Sequence, residues 1–93
     1  MFKTNEYYDG NVKSIAFGMT EGPATIGAMA TGEYEFGTSS VEYMTITSGE
    51  LLVMLPGETV WTSYKPFDTF VVDKGVKFKV KTACDTTYLC LYR

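Results

Sequence analysis

Glu42 follows Thr38 and Ser40 in the sequence, with Tyr34 and Phe36 just before them. If that stretch runs as a regular strand, Tyr34, Phe36, Thr38 and Ser40 share one face. Two hydroxyls and two aromatic rings then stand beside a carboxylate. Removing a carboxylate from water is costly unless it has partners or a task. The plainer alternative is a carboxylate satisfied by hydroxyls that serves only the fold. Other chemistries are excluded by what is missing. The chain has no histidine, which removes the usual general base, the Ser-His and Cys-His nucleophile pairs and the commonest metal ligand. Cys84 and Cys90 are the only cysteines, too few for a disulfide framework or a four-cysteine zinc site. Both are expected to be buried thiols in a reducing compartment.

Short strands separated by glycine turns must position these groups. The expected strands are 12–17, 25–29, 32–36, 42–47, 51–55, 60–64, 69–72, 76–81 and 88–92, with turns at Gly22-Pro23, Ser48-Gly49, Pro56-Gly57 and Asp73–Gly75. Segment 76–81 alternates cleanly, with Val76, Phe78 and Val80 inward and Lys77, Lys79 and Lys81 outward. No window has helical periodicity. The class is all-β with little or no helix, and edge strands that must be paired or covered favour a closed barrel or a two-sheet jelly roll.

Length and charge narrow the function. Ninety-three residues make one domain with a radius of gyration of roughly 12 Å. Seven Tyr, six Phe and one Trp argue against disorder. A net charge of −3 speaks against sequence-independent nucleic-acid binding, which needs many cations. The N-terminus has no apolar signal core, and the run Leu51–Leu55 is far too short to span a membrane. A soluble cytoplasmic protein is expected, with no membrane or nucleic-acid partner.

Two degenerate motifs resemble those of cupin barrels. In the first, Gly32 precedes Thr38 by five intervening residues, Ser40 and Glu42 follow, and six residues separate Glu42 from Gly49. In the second, Phe67, Asp73-Lys74-Gly75 and Phe78 stand at the pattern positions. Of the four metal-ligand positions only Glu42 keeps a ligating side chain, and one carboxylate does not hold a transition metal. A closer resemblance covers nearly the whole chain. Asn5–Tyr7, Val12–Ile15, Gly32–Tyr34 with Phe36, Glu42, Met44-Thr45, Ser48-Gly49, Leu55-Pro56, Trp61, Tyr64, Phe70, Tyr88–Cys90 and Tyr92 are similar to the small single-domain cupins of the pyrimidine/purine nucleoside phosphorylase family. Pro23 and Lys74 depart from residues often found in that family.

The resemblance implies a single cupin domain over residues 1–93. It also implies phosphorolysis of purine and pyrimidine nucleosides to free base and ribose 1-phosphate, and a homodimer. No cofactor is expected, with inorganic phosphate as co-substrate. In cupins the first-motif face points into the barrel, which sets Glu42 there beside Thr38 and Ser40, against the ribose hydroxyls or the developing cation. Most of the rate can come from positioning and electrostatics, so histidine is dispensable. Tyr34, Phe36, Trp61, Phe78, Tyr88 and Tyr92 are candidates to stack a base, each against the alternative of core packing. The substrate-binding set is thus Tyr34, Thr38, Ser40, Trp61, Phe78 and Tyr88, with Glu42 catalytic.

Phosphate has the thinnest support. Lys13 is the only cation inside a matching segment, and backbone N–H groups near Gly32 or Gly49 are an alternative. Asn5–Tyr7 reads as an arm over the barrel mouth or toward a partner. Cys90 should face the same way as Tyr88 and Tyr92, as an inert thiol. Two other functions fit the same barrel. A non-catalytic cupin would bind a nucleoside or other metabolite and leave it intact. A nucleic-acid-binding barrel would need exposed aromatics among basic residues, which the charge disfavours.

Overall fold

A computed structural model describes residues 2–93. It contains ten strands: β1 Lys3–Tyr7, β2 Val12–Met19, β3 Gly22–Met29, β4 Gly32–Gly37, β5 Glu42–Ser48, β6 Leu51–Met54, β7 Thr62–Tyr64, β8 Thr69–Val72, β9 Lys77–Thr82 and β10 Thr86–Tyr92. They form a six-stranded sheet in the order β1-β2-β3-β10-β5-β8 and a four-stranded sheet in the order β4-β9-β6-β7. All the pairings are antiparallel. No helix among the described residues is long and apolar enough to cross a membrane. The radius of gyration is 12.4 Å.

The two sheets close on a core of Val12, Met29, Ile46, Leu51, Val53, Phe70, Val72, Phe78 and Val80. Alternation explains it. On β9, Phe78 and Val80 are buried while Lys77 and Lys79 are exposed. On β5, Met44 and Ile46 are buried, and Glu42 shares their face at the start of the strand.

Several boundaries differ from the sequence expectation. Asn5–Tyr7, read as an arm before the first strand, is part of the strand β1. Its residues are polar, and it is made a strand by pairing with β2, from Lys3 opposite Ala16 to Tyr7 opposite Val12. The connecting turn uses three consecutive left-handed residues, Tyr8 (φ 54), Asp9 (φ 58) and Gly10 (φ 85); aspartate and glycine visit that region most readily. Gly22-Pro23 opens β3 rather than turning the chain. Pro23 lies opposite Gly18, beyond the last β10 pairing at Ala24, where its missing N–H costs no ladder bond. Val60 and Trp61 lie outside β7. Only Cys90 is a buried thiol, since Cys84 in the turn after β9 is exposed.

Candidate active site

The inward face of the six-stranded sheet carries a row of polar side chains where the sheets part. Cα pairing sets Ser14 beside Gly27, Gly27 beside Tyr88, and Tyr92 beside Glu42. These side chains floor a cavity of about 540 Å³ together with Cys90, Met29 and Met44. The far wall comes from Phe36, Gly37, Ser39 and Phe78, and Tyr7 and Tyr8 reach in from the N-terminal hairpin. The volume suits a small-molecule site.

Glu42 sits among neutral partners. The Cys90 thiol donates to Glu42 Oε1 at 3.5 Å. Burial pushes the Glu42 carboxyl above its usual value, against the smaller opposite effect of the Cys90 hydrogen bond. Burial, reinforced by the Glu42 charge, pushes the Cys90 thiol up to about 12. Tyr88 is likewise pushed to about 12, chiefly by burial. Tyr92 is raised too, again mainly by burial, and its hydroxyl bonds to Thr25 at 2.9 Å. At neutral pH the floor therefore presents a thiol and two phenols in their protonated forms around one carboxyl group.

The opposite wall is aromatic. Phe36 and Phe78 have ring centroids 6.0 Å apart. Tyr7 and Tyr8 meet Phe36 edge-on at 6.3 Å and 6.0 Å. Tyr8 also pins its hairpin to β4: its hydroxyl donates to the Glu35 carbonyl and accepts from the Glu35 N–H at 3.1 Å.

The sequence-derived site is only partly assembled here. Glu42, Phe78 and Tyr88 line the cavity. Thr38 and Ser40 do not, because β4 ends at Gly37 and the alternation stops there. The Thr38 hydroxyl instead donates to the Asp73 carbonyl at 2.7 Å and accepts from the Val76 N–H at 3.1 Å, tying the turn before β9. Ser39 takes the expected place at the cavity. Tyr34 is buried in the core, and its hydroxyl donates to the Ala30 carbonyl at 2.7 Å. Trp61 lies under the Lys81 ammonium, 4.3 Å from the ring centroid, on the outward face of β9. Lys13 alternates with the buried Ser14, so it points outward, where it pairs with Glu6 at 3.5 Å. Tyr7, read as part of an arm over the barrel mouth, does reach the cavity; Tyr8, Ser14 and the Glu35 backbone were missed. Cys90 and Tyr92, two and four residues after Tyr88 on the same strand face, were the readable signal for a larger floor.

The donor set does not fit a transition metal. Thr38 is committed to the backbone, Phe78 is apolar, and Glu42 faces a protonated thiol. Among the described residues no three of His, Cys, Asp and Glu are grouped to hold an ion.

The sequence profile described as pyrimidine/purine nucleoside phosphorylase matches residues 2–92. A Pseudomonas aeruginosa protein named pyrimidine/purine nucleoside phosphorylase is 59% identical over 93 residues, covering 100% of both chains. The chain belongs to the pyrimidine/purine nucleoside phosphorylase family. It is an enzyme of that family. A crystal structure of a Vibrio parahaemolyticus protein of unknown function is 38% identical with a TM-score of 0.93, covering 97% of this chain and 96% of that one. The Drosophila melanogaster CENP-C cupin domain has a TM-score of 0.74 at 13% identity, covering 99% of this chain and 75% of that one. That likeness concerns the fold alone, which is a cupin. Glu42 is the one carboxylate on the cavity floor, since Glu35 meets the cavity through its backbone and stands opposite the outward Lys79, and among the described residues no lysine or arginine lines it.

Proposed function

We propose that the protein cleaves purine and pyrimidine nucleosides with inorganic phosphate, giving free base and α-D-ribose 1-phosphate without a metal. The observation that carries this reading is Glu42, hydrogen-bonded by Cys90, on the floor of an aromatic-walled cavity. The C1′–N bond breaks with its electron pair leaving on the base. A phosphate oxygen forms the new C1′–O bond, and the phosphate proton passes to the base nitrogen. Positive charge develops on the ribose between these events. An ionised Glu42 facing it is stabilising, and more so because burial leaves that carboxylate poorly solvated. The neutral hydroxyls of Tyr88 and Tyr92 suit ribose hydroxyls, which need both donors and acceptors. Phe36, Phe78 and Tyr7 offer ring faces or edges to a base, and stacking tolerates purines and pyrimidines alike.

The test is base release from uridine and adenosine with and without phosphate, beside Glu42→Gln. Wild-type protein should release both bases only with phosphate. The variant should lose about 10²- to 10³-fold in kcat, the scale of one electrostatic stabiliser. A second reading has one observation in its favour. A cavity with a carboxylate on its floor and, among the described residues, no cation in its lining suits a neutral nucleoside better than a phosphate dianion, as in a non-catalytic binder. Nucleoside that raises the melting temperature and is recovered intact with phosphate present would favour that reading.

The working unit in this proposal is one cupin domain paired as a homodimer. Support comes from the outward face of the six-stranded sheet. Ile15, Ile26, Tyr43 and Val71 are exposed there. Register places Ile15, Ile26 and Leu89 in one row across three strands, and Leu91, Tyr43 and Val71 in another.

A further inference from the structure

The cavity as described lacks a place for phosphate, and the register of β1 offers one. Arg93 spends its guanidinium on the Tyr92 carbonyl at 2.8 Å. Lys13 pairs with Glu6 on the outward face, and Lys77, Lys79 and Lys81 alternate outward from Phe78 and Val80. Lys65 and Lys74 lie outside the strands. Lys3 differs. It stands opposite Ala16, Asn5 opposite Ser14 and Tyr7 opposite Val12. Paired residues of an antiparallel ladder share a face. Ser14 and Val12 are buried on the inward side, so Lys3 and Asn5 lie on that side too. Among the described residues Lys3 is thus the one cation that a strand sets on the inward face of the sheet, next to the cavity rather than in its lining, and no carboxylate pairs with it there.

We infer that Lys3, Asn5 and Ser14 form the phosphate subsite of this enzyme, an inference that rests on the phosphorolysis reading. The donor chemistry fits a phosphate dianion: an ammonium on a flexible stem, a carboxamide N–H and a hydroxyl. The amide and hydroxyl are already neighbours, with Asn5 Nδ2 3.4 Å from Ser14 Oγ. Ser14 lines the cavity. Beyond Ser14 the Tyr88 ring lies over Gly27, and the small Ala16 and Thr25 are the next inward pair.

Charge and distance agree with this placement. β1 and β5 are four strand spacings apart in the sheet, roughly 19 Å between backbones. The Tyr88 ring lies over Gly27 between these strands, and a phosphate at Ser14 and a ribose against Glu42 take its two sides. The anion then sits at the wall away from Glu42, and C1′ lies between the two negative groups. That order lets Glu42 stabilise the ribose cation without repelling the nucleophile at contact distance.

The experiment measures KM for phosphate and for uridine separately in wild type, Lys3→Met, Lys3→Arg, Asn5→Asp and Lys79→Met. Calorimetric binding of inorganic phosphate and melting temperatures are read on the same samples. Lys3→Met should raise KM for phosphate about fivefold, and Asn5→Asp, which sets a like charge beside the anion, roughly tenfold or more. KM for uridine should stay within about twofold in both. Lys3→Arg should keep most of the phosphate affinity, and Lys79→Met should change nothing. Unchanged phosphate KM and phosphate binding in folded Lys3→Met and Asn5→Asp would overturn the subsite, as would a rise confined to uridine KM. Phosphate binding that is lost in both variants, in a protein whose wild type releases no base, would keep the subsite and remove phosphorolysis.

Discussion

Tyr88 occupies the space that a side chain at Gly27 would need. A Cβ built on Gly27 would lie 2.5 Å from both the Tyr88 hydroxyl and the ring carbon that bears it. The two residues are direct partners across β10 and β3. Gly27 is thus required for room, and its absent side chain lets the Tyr88 ring reach across toward Ser14. Gly27→Ala should drive the ring off this seat. The expected cost is about 1–3 kcal/mol, the usual range for overpacking, with a fall in base release. Urea unfolding reads the first and a phosphorolysis assay the second. A variant with wild-type stability and activity would mean that Tyr88 has a second seat of equal quality.

The same contact shows why some of the site could be read in the sequence and some could not. Phe78, Val80 and their intervening lysines announce a half-buried strand, because lysines are very rarely fully buried. Met44 and Ile46 fix the face of Glu42 by simple alternation. Thr38 and Ser40 were misplaced because nothing local says that β4 stops at Gly37. Trp61 was misplaced because a large aromatic earns burial equally well under a lysine stem outside the barrel. β1 has no apolar alternation at all. Its strand state and its inward Lys3 and Asn5 are products of pairing with β2, which lies beyond local sequence.

Glu42 should make stability depend on pH. Burial raises its carboxyl above the ordinary carboxylate value, against the smaller lowering by the Cys90 hydrogen bond. The folded state therefore holds the proton more tightly than the unfolded state. Below the unfolded pKa the group costs nothing. As pH rises from about 4.5 through the raised folded value, stability is lost to the buried charge. Glu42→Gln has no such charge. The melting temperature of the variant minus that of wild type should thus be more positive at pH 8 than at pH 4. A difference independent of pH would contradict the buried setting of the carboxyl.

The two thiols should differ in reactivity. Cys84 is exposed and Cys90 is buried, and Cys90 is pushed up to about 12, so its thiolate is scarce at neutral pH. Iodoacetamide at pH 7.5 should label Cys84 in the native protein and both cysteines in denaturant, as read by intact mass. Base release should survive the alkylation of Cys84. Rapid native labelling of Cys90 with loss of activity would reinstate it as a nucleophile.

Ile26 is 47% exposed at the middle of the outward sheet face, opposite Ile15 on one side and Leu89 on the other. Apolar rows of this kind are unfavourable in water and become favourable when a second copy covers them. Ile26→Lys sets a charge on that row while leaving the inward face untouched, since its strand neighbours Thr25 and Gly27 point the other way. The expected result is a shift from dimer to monomer in sedimentation, with the melting temperature losing its dependence on protein concentration. The outward row holds none of the residues that line the cavity, so base release per chain should persist while the monomer stays folded. A wild type that sediments as a monomer would remove the dimer. A variant that stays dimeric would move the contact away from this face.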